Sequence, residues 1–161
     1  MATLDEFNKV ADQAVDQAVA RFREFHRRVA LEAYQLAGGD SANGGSSPVW
    51  TGRYMRSHTI AIGSVLTDVV APHPETLEKP ALRWPDHPDA PYPGRGVAYA
   101  AGQLKNLQPF EIIYIANALP YARRIETGWS KLRAPNGVYH VIAEVLKTKY
   151  AHVTLESLSK Q

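Results

Sequence analysis

From Leu4 to Leu36, apolar side chains fall at positions 4, 7, 11, 14, 15, 18, 22, 25, 29, 33 and 36, a three-and-four spacing that keeps them on one face of an α-helix. At roughly 1.5 Å per residue such a helix would be on the order of 50 Å long. The chain has 161 residues, enough for one domain with a sizeable core, and this helix is longer than such a domain is wide. One end is therefore expected to project or to pack on a neighbouring subunit. Thr3 and Glu6 form a capping box at its start, and Asp5 and Glu6 complement the positive end of the helix dipole. Gly38 and Gly39 supply the stop.

GGDSANGGSS, from Gly38 to Ser47, has the composition of a flexible connector. The chain thus divides into a helix at 1–37, a linker at 38–48 and a main domain at 49–161. In that domain HTIAIGSVLTDVV alternates and is rich in β-branched residues, which predicts a strand over roughly 57–70, with Gly63 as the point where it would break into a hairpin. Pro72, Pro74, Pro80, Pro85, Pro88, Pro91 and Pro93 make 71–96 a long proline-rich loop. VAYAAGQLKNL reads as a short helix. FEIIYIAN reads as a strand with Ile112, Tyr114 and Ala116 on one side and Ile113 and Ile115 on the other, which predicts a central strand covered on both faces. A short helix is expected over 121–127, ending at Gly128. Asn136-Gly137 opens the last helix, where Val138, Val141, Ile142, Val145 and Leu146 fall at helical spacing. The fold class is α+β: a small mixed or antiparallel sheet covered by a C-terminal helix, with a long N-terminal amphipathic helix.

The chain has no cysteine, which removes disulfides, thiolate nucleophiles and cysteine-based zinc sites. Its histidines invite a metal reading, above all His73 and His87 among Glu75, Glu78, Asp86 and Asp89, but their spacing matches no ligand pattern of fixed geometry. His58, His140 and His152 read as partly packed side chains. No nucleophile motif, zinc-protease motif or phosphate-cradling glycine loop is present. No catalytic residue, metal or cofactor is therefore assigned, and the chain is not expected to be an enzyme.

No apolar run reaches the roughly 18 to 20 residues of a membrane span, and MATLDEFNKV lacks the pattern of a secretion signal, so a cytoplasmic origin is expected. Net charge is +2, weak evidence for a nucleic-acid partner. Its distribution is uneven, since residues 121–161 hold seven basic and three acidic groups, an excess suited to an acidic partner surface. Arg21, Arg23, Arg27 and Arg28 cluster on the long helix, where ion pairs with Glu24 and Glu32 are the simpler account. Trp50, Trp84 and Trp129 lie in or beside loops, where a large ring is either an interface anchor or a core residue. Arg123, Arg124 and Lys131 complete the candidate contact residues.

One block carries more than composition. IYIANALPYARRIETGWSKLRAPNGVYHVIAE contains Asn117, Pro120, Tyr121 and Ala122 as an Asn-x-x-Pro-Tyr-Ala turn. Glu126, Gly128 and Ser130 follow as a Glu-x-Gly-x-Ser loop, and Ala134, Pro135 and Gly137 as an Ala-Pro-x-Gly helix start. Thr51, Gly52 and Arg53 precede a strand earlier in the chain. In these two blocks the chain resembles the tail-completion or neck proteins of long-tailed bacteriophages, with a loop between Ser130 and Ala134 one residue longer than the family pattern. Read physically, Pro120 and Asn117 shape a turn. Glu126 either pairs with Arg123 or caps backbone donors at Trp129 to Lys131. Gly128 and Gly137 suit places where a side chain would clash, and Pro135 suits a helix start.

The resemblance implies a structural virion protein made in the host bacterial cytoplasm and used at the head-tail junction. There it would form a homo-oligomeric ring, expected to be a hexamer, around the DNA channel. Its implied neighbours are the head-tail connector and the tail terminator or tube proteins, with DNA passing through the lumen without specific binding and no membrane involved. The alternative is a DNA-binding accessory protein using the basic face of the N-terminal helix. A small enzyme with a His/Asp loop site is the third reading.

Overall fold

A computed structural model describes residues 3–39, 53–69, 96–131, 134–154 and 157–158. The linker from Asp40 onward, Trp50, Thr51, Gly52, Trp84 and the proline-rich loop up to Arg95 lie outside the described residues. The expected α+β class holds: a long N-terminal helix, a two-stranded antiparallel sheet and a C-terminal helix, with helix predominating. None of the helices is long and apolar enough to cross a membrane, as judged over the described residues.

Helix α1 spans Leu4–Tyr34 and runs on through a π-helical turn at Gln35–Gly39. The capping box is formed as expected: Thr3 Oγ1 accepts the Glu6 N–H at 3.3 Å, and the Thr3 N–H donates to Glu6 Oε2 at 2.8 Å. The chain leaves helical backbone at Gly38, where a Cβ would fall 2.6 Å from Met55 Cγ and 3.3 Å from His58 Cδ2. Only a glycine lets the helix end sit this close to the elements that follow. These are the short helix α2 (Arg53–Arg56) and strand β1 (His58–Ile62).

After α3 (Gly96–Gln103), strand β2 (Ile113–Asn117) pairs antiparallel with β1, with His58 opposite Asn117, Ile60 opposite Ile115 and Ile62 opposite Ile113. This register puts His58, Ile60, Ile62, Ile113 and Ile115 on one face. Two sequence expectations are corrected. The first strand ends at Ile62 rather than reaching residue 70, because Gly63 (φ +76) turns the chain. Residues 65–69 then form no second strand, and the Thr59 hydroxyl bonds the Leu66 carbonyl at 3.2 Å. Strand β2 is not central: among the described residues it pairs on one edge only and is half-buried along its whole length.

The core lies on either side of the last turns of α1. Ala30 and Tyr34 pack with Ile60, Ala100 and Leu104 against the sheet and α3. Ala33 and Ala37 pack with Tyr54, Leu119, Ile125, Val138 and Ile142 against α4 (Ala122–Glu126) and α5 (Tyr139–Tyr150). Ile60, Leu104 and Val138 are fully buried, each contributing about 2 kcal/mol. On the rim, Lys149 Nζ and the Tyr150 hydroxyl each donate to Glu32 at 2.6 Å, tying α5 to α1. Burial pulls the Glu32 carboxyl upward in pKa, but these two bonds and the nearby cations outweigh it and hold it below its ordinary range. Glu32 thus serves a contact between helices while still feeling the charge of Arg28, and within the arginine cluster Arg27 pairs with Glu24 at 4.0 Å.

Candidate functional site

The block from Asn117 to Gly137 folds as a chain of backbone corrections around one carboxylate. At the end of β2, the Asn117 side chain accepts the Leu119 N–H at 3.2 Å and donates to the Tyr54 carbonyl at 2.8 Å. This fixes the turn before Pro120 and ties it to α2. Helix α4 ends in a Schellman arrangement: the Gly128 N–H donates to the Ile125 carbonyl and the Trp129 N–H to the Arg124 carbonyl, both at 3.0 Å. Gly128 has φ +84, and a Cβ there would overlap the Pro135 carbonyl oxygen. Ser130 and Ala134 then bridge, with the Ala134 N–H donating to the Ser130 carbonyl at 2.8 Å. Gly137, at φ +79, passes so close that a Cβ would stand 2.7 Å from the Glu126 carbonyl oxygen and 2.8 Å from its carboxylate.

Glu126 takes neither role expected of it. Its carboxylate accepts the backbone N–H groups of Val138 at 3.0 Å and of Tyr139 at 3.1 Å, and the Tyr54 hydroxyl at 3.3 Å. It therefore caps the start of α5, where Val138 has no side chain able to do so. Of the donors expected to meet it, the Trp129 N–H bonds the Arg124 carbonyl instead, at 3.0 Å.

Beside this cap lies a buried aromatic and histidine cluster that the sequence reading missed. His58 is 1% exposed, not partly packed. Its Nδ1 lies 2.7 Å from the Tyr139 hydroxyl, and the Tyr54 and Tyr139 rings meet it edge-on at 5.0 and 5.6 Å. The Tyr34 hydroxyl donates to the His58 carbonyl at 3.2 Å. Burial alone pushes the His58 imidazole down to a pKa of about 3, so it is neutral near pH 7. Burial, with the Glu126 charge and bond, raises the Tyr54 phenol; burial, with the Tyr54 and Glu126 charges, raises that of Tyr139. The signal for this cluster was in the strand alternation, which sets His58 on the same face as Ile60 and Ile62. These groups hold one another in place. His140 and Glu144 border a shallow groove between α4 and α5, and Glu144 is paired with Lys147 at 2.8 Å. Among the described residues no three histidines or carboxylates converge as metal ligands would.

What the fold offers outward is different in kind. Every residue from Thr3 to Ala18 is exposed, so the first half of α1 is an arm that rests on nothing else among the described residues. Its large apolar side chains are exposed with it: Leu4 is 75% exposed, Phe7 67%, Val10 64% and Val15 60%. Trp129, which follows the Gly128 turn, is 66% exposed, which excludes the core reading. Arg123, Arg124, Lys131 and Pro120 are exposed as well. Arg53 is half-buried, and Tyr121 packs by the Tyr54 ring.

No family model, curated protein or solved structure matches the chain.

Proposed function

We propose that this chain is a structural protein of the neck of a long-tailed phage virion, assembling as a ring at the head-tail junction and acting by surface complementarity without turnover. The observation that carries this reading is the arm: a helical half whose Leu4, Phe7, Val10 and Val15 remain exposed on the single chain. An apolar stripe of this length left in water marks an interaction surface. An isolated helix of about 15 residues is also marginal in water, so the arm gains from a partner. The residues shared with the neck family fit the same reading, because Asn117, Glu126, Gly128 and Gly137 hold backbone shape and place Trp129 outward. The buried hub works as a rigid mount for contact surfaces.

In the ring, the basic group Arg123, Arg124 and Lys131 faces protein, while the lumen stays neutral or acidic so that DNA passes without being held. The test is the mass of the purified full chain in solution, alone and with connector and tail terminator proteins. Oligomers or mixed complexes are expected; a strict monomer under all these conditions would overturn the reading.

A second reading, DNA binding by the long helix, draws on the exposure of Arg21, Arg23 and Arg28. It predicts salt-dependent retention of duplex DNA that weakens when these arginines are replaced. The Arg27–Glu24 pair and the acids of the arm act against it.

A further inference from the structure

The stripe on the arm does not stop where the arm meets the domain. Leu4, Phe7, Ala11, Ala14 and Ala18 recur at steps of three and four, and Phe22 continues the line. The Phe22 ring then stacks on Phe110 at 4.8 Å with 25° between the planes. Phe110 is 74% exposed and has φ +66, a left-handed conformation unusual for a bulky residue. The domain thus holds an exposed aromatic ring against the helix, at the foot of the arm, in a ledge made of Phe22 and Phe110.

Arm and ledge carry opposite charge. The arm has Asp5, Glu6, Asp12 and Asp16 against the single base Lys9. On the ledge side, the second half of α1 has Arg21, Arg23, Arg27 and Arg28 against Glu24 and Glu32, with Arg21, Arg23 and Arg28 exposed, and Glu111 beside Phe110 adds one acid. Two arms laid side by side over their own lengths would set acid against acid. An arm laid on a ledge sets acid against arginine. The positions that flank the stripe, Asn8, Val10, Val15 and Gln17, are uncharged. The face suited to burial is therefore wider than the seam of a two-helix coil and fits a cradle formed by a helix and a loop.

We infer that the arm docks on a second copy of this chain, its apolar stripe lying along the neighbour's Phe22–Phe110 ledge and its acids against the neighbour's Arg21, Arg23 and Arg28. The inference rests on the assembly reading above and names its subunit contact. Donor and acceptor surfaces are different parts of the chain, so a contact passed from copy to copy is head-to-tail and closes into a ring when the rotation allows.

The absence of cysteine makes a clean test. Full-length Phe7→Cys and Phe110→Cys proteins are mixed under mild oxidation, and the mass of disulfide-linked species is compared with either protein alone. Cross-linking in the mixture well above that in either single variant is expected. In parallel, sedimentation of Phe7→Glu, checked for native helix content, should show self-association weakened by at least about tenfold. Arg21→Glu/Arg28→Glu should do the same, with partial recovery when mixed with Asp5→Lys/Asp12→Lys. Self-association that Phe7→Glu leaves unchanged, or a mixture that gives no excess cross-linking, would overturn the arm contact while leaving the ring reading in place. A Phe7→Cys/Phe110→Cys double variant, which carries both halves of the contact on one chain, should cross-link into species larger than a dimer; cross-linking that stops at a closed dimer would uphold the contact and overturn the ring.

Discussion

Glu126 and Val138 are twelve residues apart, yet the carboxylate of the first accepts the backbone N–H of the second at 3.0 Å. This bond makes α4, the glycine loop and α5 one unit, and Tyr54 extends the unit to α2. Replacing Glu126 with Ala removes the cap from α5 and leaves the Tyr54 hydroxyl without that acceptor. A loss of about 2 kcal/mol is expected. Gln, which keeps an acceptor oxygen, should lose less. Urea unfolding of the two variants checks both the size and the order.

Gly128 and Gly137 differ from Gly63 in a way that can be measured. All three have positive φ, but a Cβ at Gly63 would meet nothing within 4 Å, while at Gly128 and Gly137 it would run into backbone. Gly63→Ala should cost about 1 kcal/mol for the left-handed backbone alone. Gly128→Ala and Gly137→Ala should each cost more, on the order of 2 to 4 kcal/mol, because the loop must also shift. Thermal unfolding of the three variants ranks them.

His58 gives the protein a defined acid response. Above pH about 6.5 the imidazole is neutral in both folded and unfolded chains. Between about 6.5 and about 3 the unfolded chain binds a proton that the folded one refuses, so stability falls as pH falls. The slope from this group is about 1.4 kcal/mol per pH unit. Unfolding free energies of the wild type and of His58→Gln from pH 7.5 to 4.5 should show the steeper decline in the wild type; equal slopes would contradict a buried neutral imidazole.

Surface substitutions should separate assembly from folding. Phe7 and Trp129 are both more than half exposed, so Phe7→Glu and Trp129→Ala should change the unfolding free energy by less than about 0.5 kcal/mol. The same substitutions should impair assembly, read as loss of the larger species in sedimentation. A large loss of stability in either variant would mean that the side chain packs within its own chain.

Much of this architecture was legible in the residues. The stripe from Leu4 to Leu36 gave α1, Thr3 and Glu6 gave its start, and the apolar spacing from Val138 to Leu146 gave α5. Gly128 and Gly137 were readable as tight passages because only a few backbone geometries put glycine where a helix ends or begins. What the sequence hid was long-range. Which donors Glu126 would cap depends on how the loop from Gly128 returns, and local spacing offered Arg123 first. Alternation sets His58 on the face of Ile60 and Ile62, but its full burial also depends on the close approach of Gly38, a contact between elements that no local pattern carries. Phe110 read as the start of a strand, whereas it occupies a left-handed turn beside Phe22.

The central claim, that this chain joins heads to tails by assembly alone, is tested most directly by electron microscopy of phage particles made without it. The account predicts filled heads and finished tails accumulating separately, and joining restored by adding back the wild-type chain but not the Phe7→Glu variant. Intact, joined particles in its absence would contradict the account.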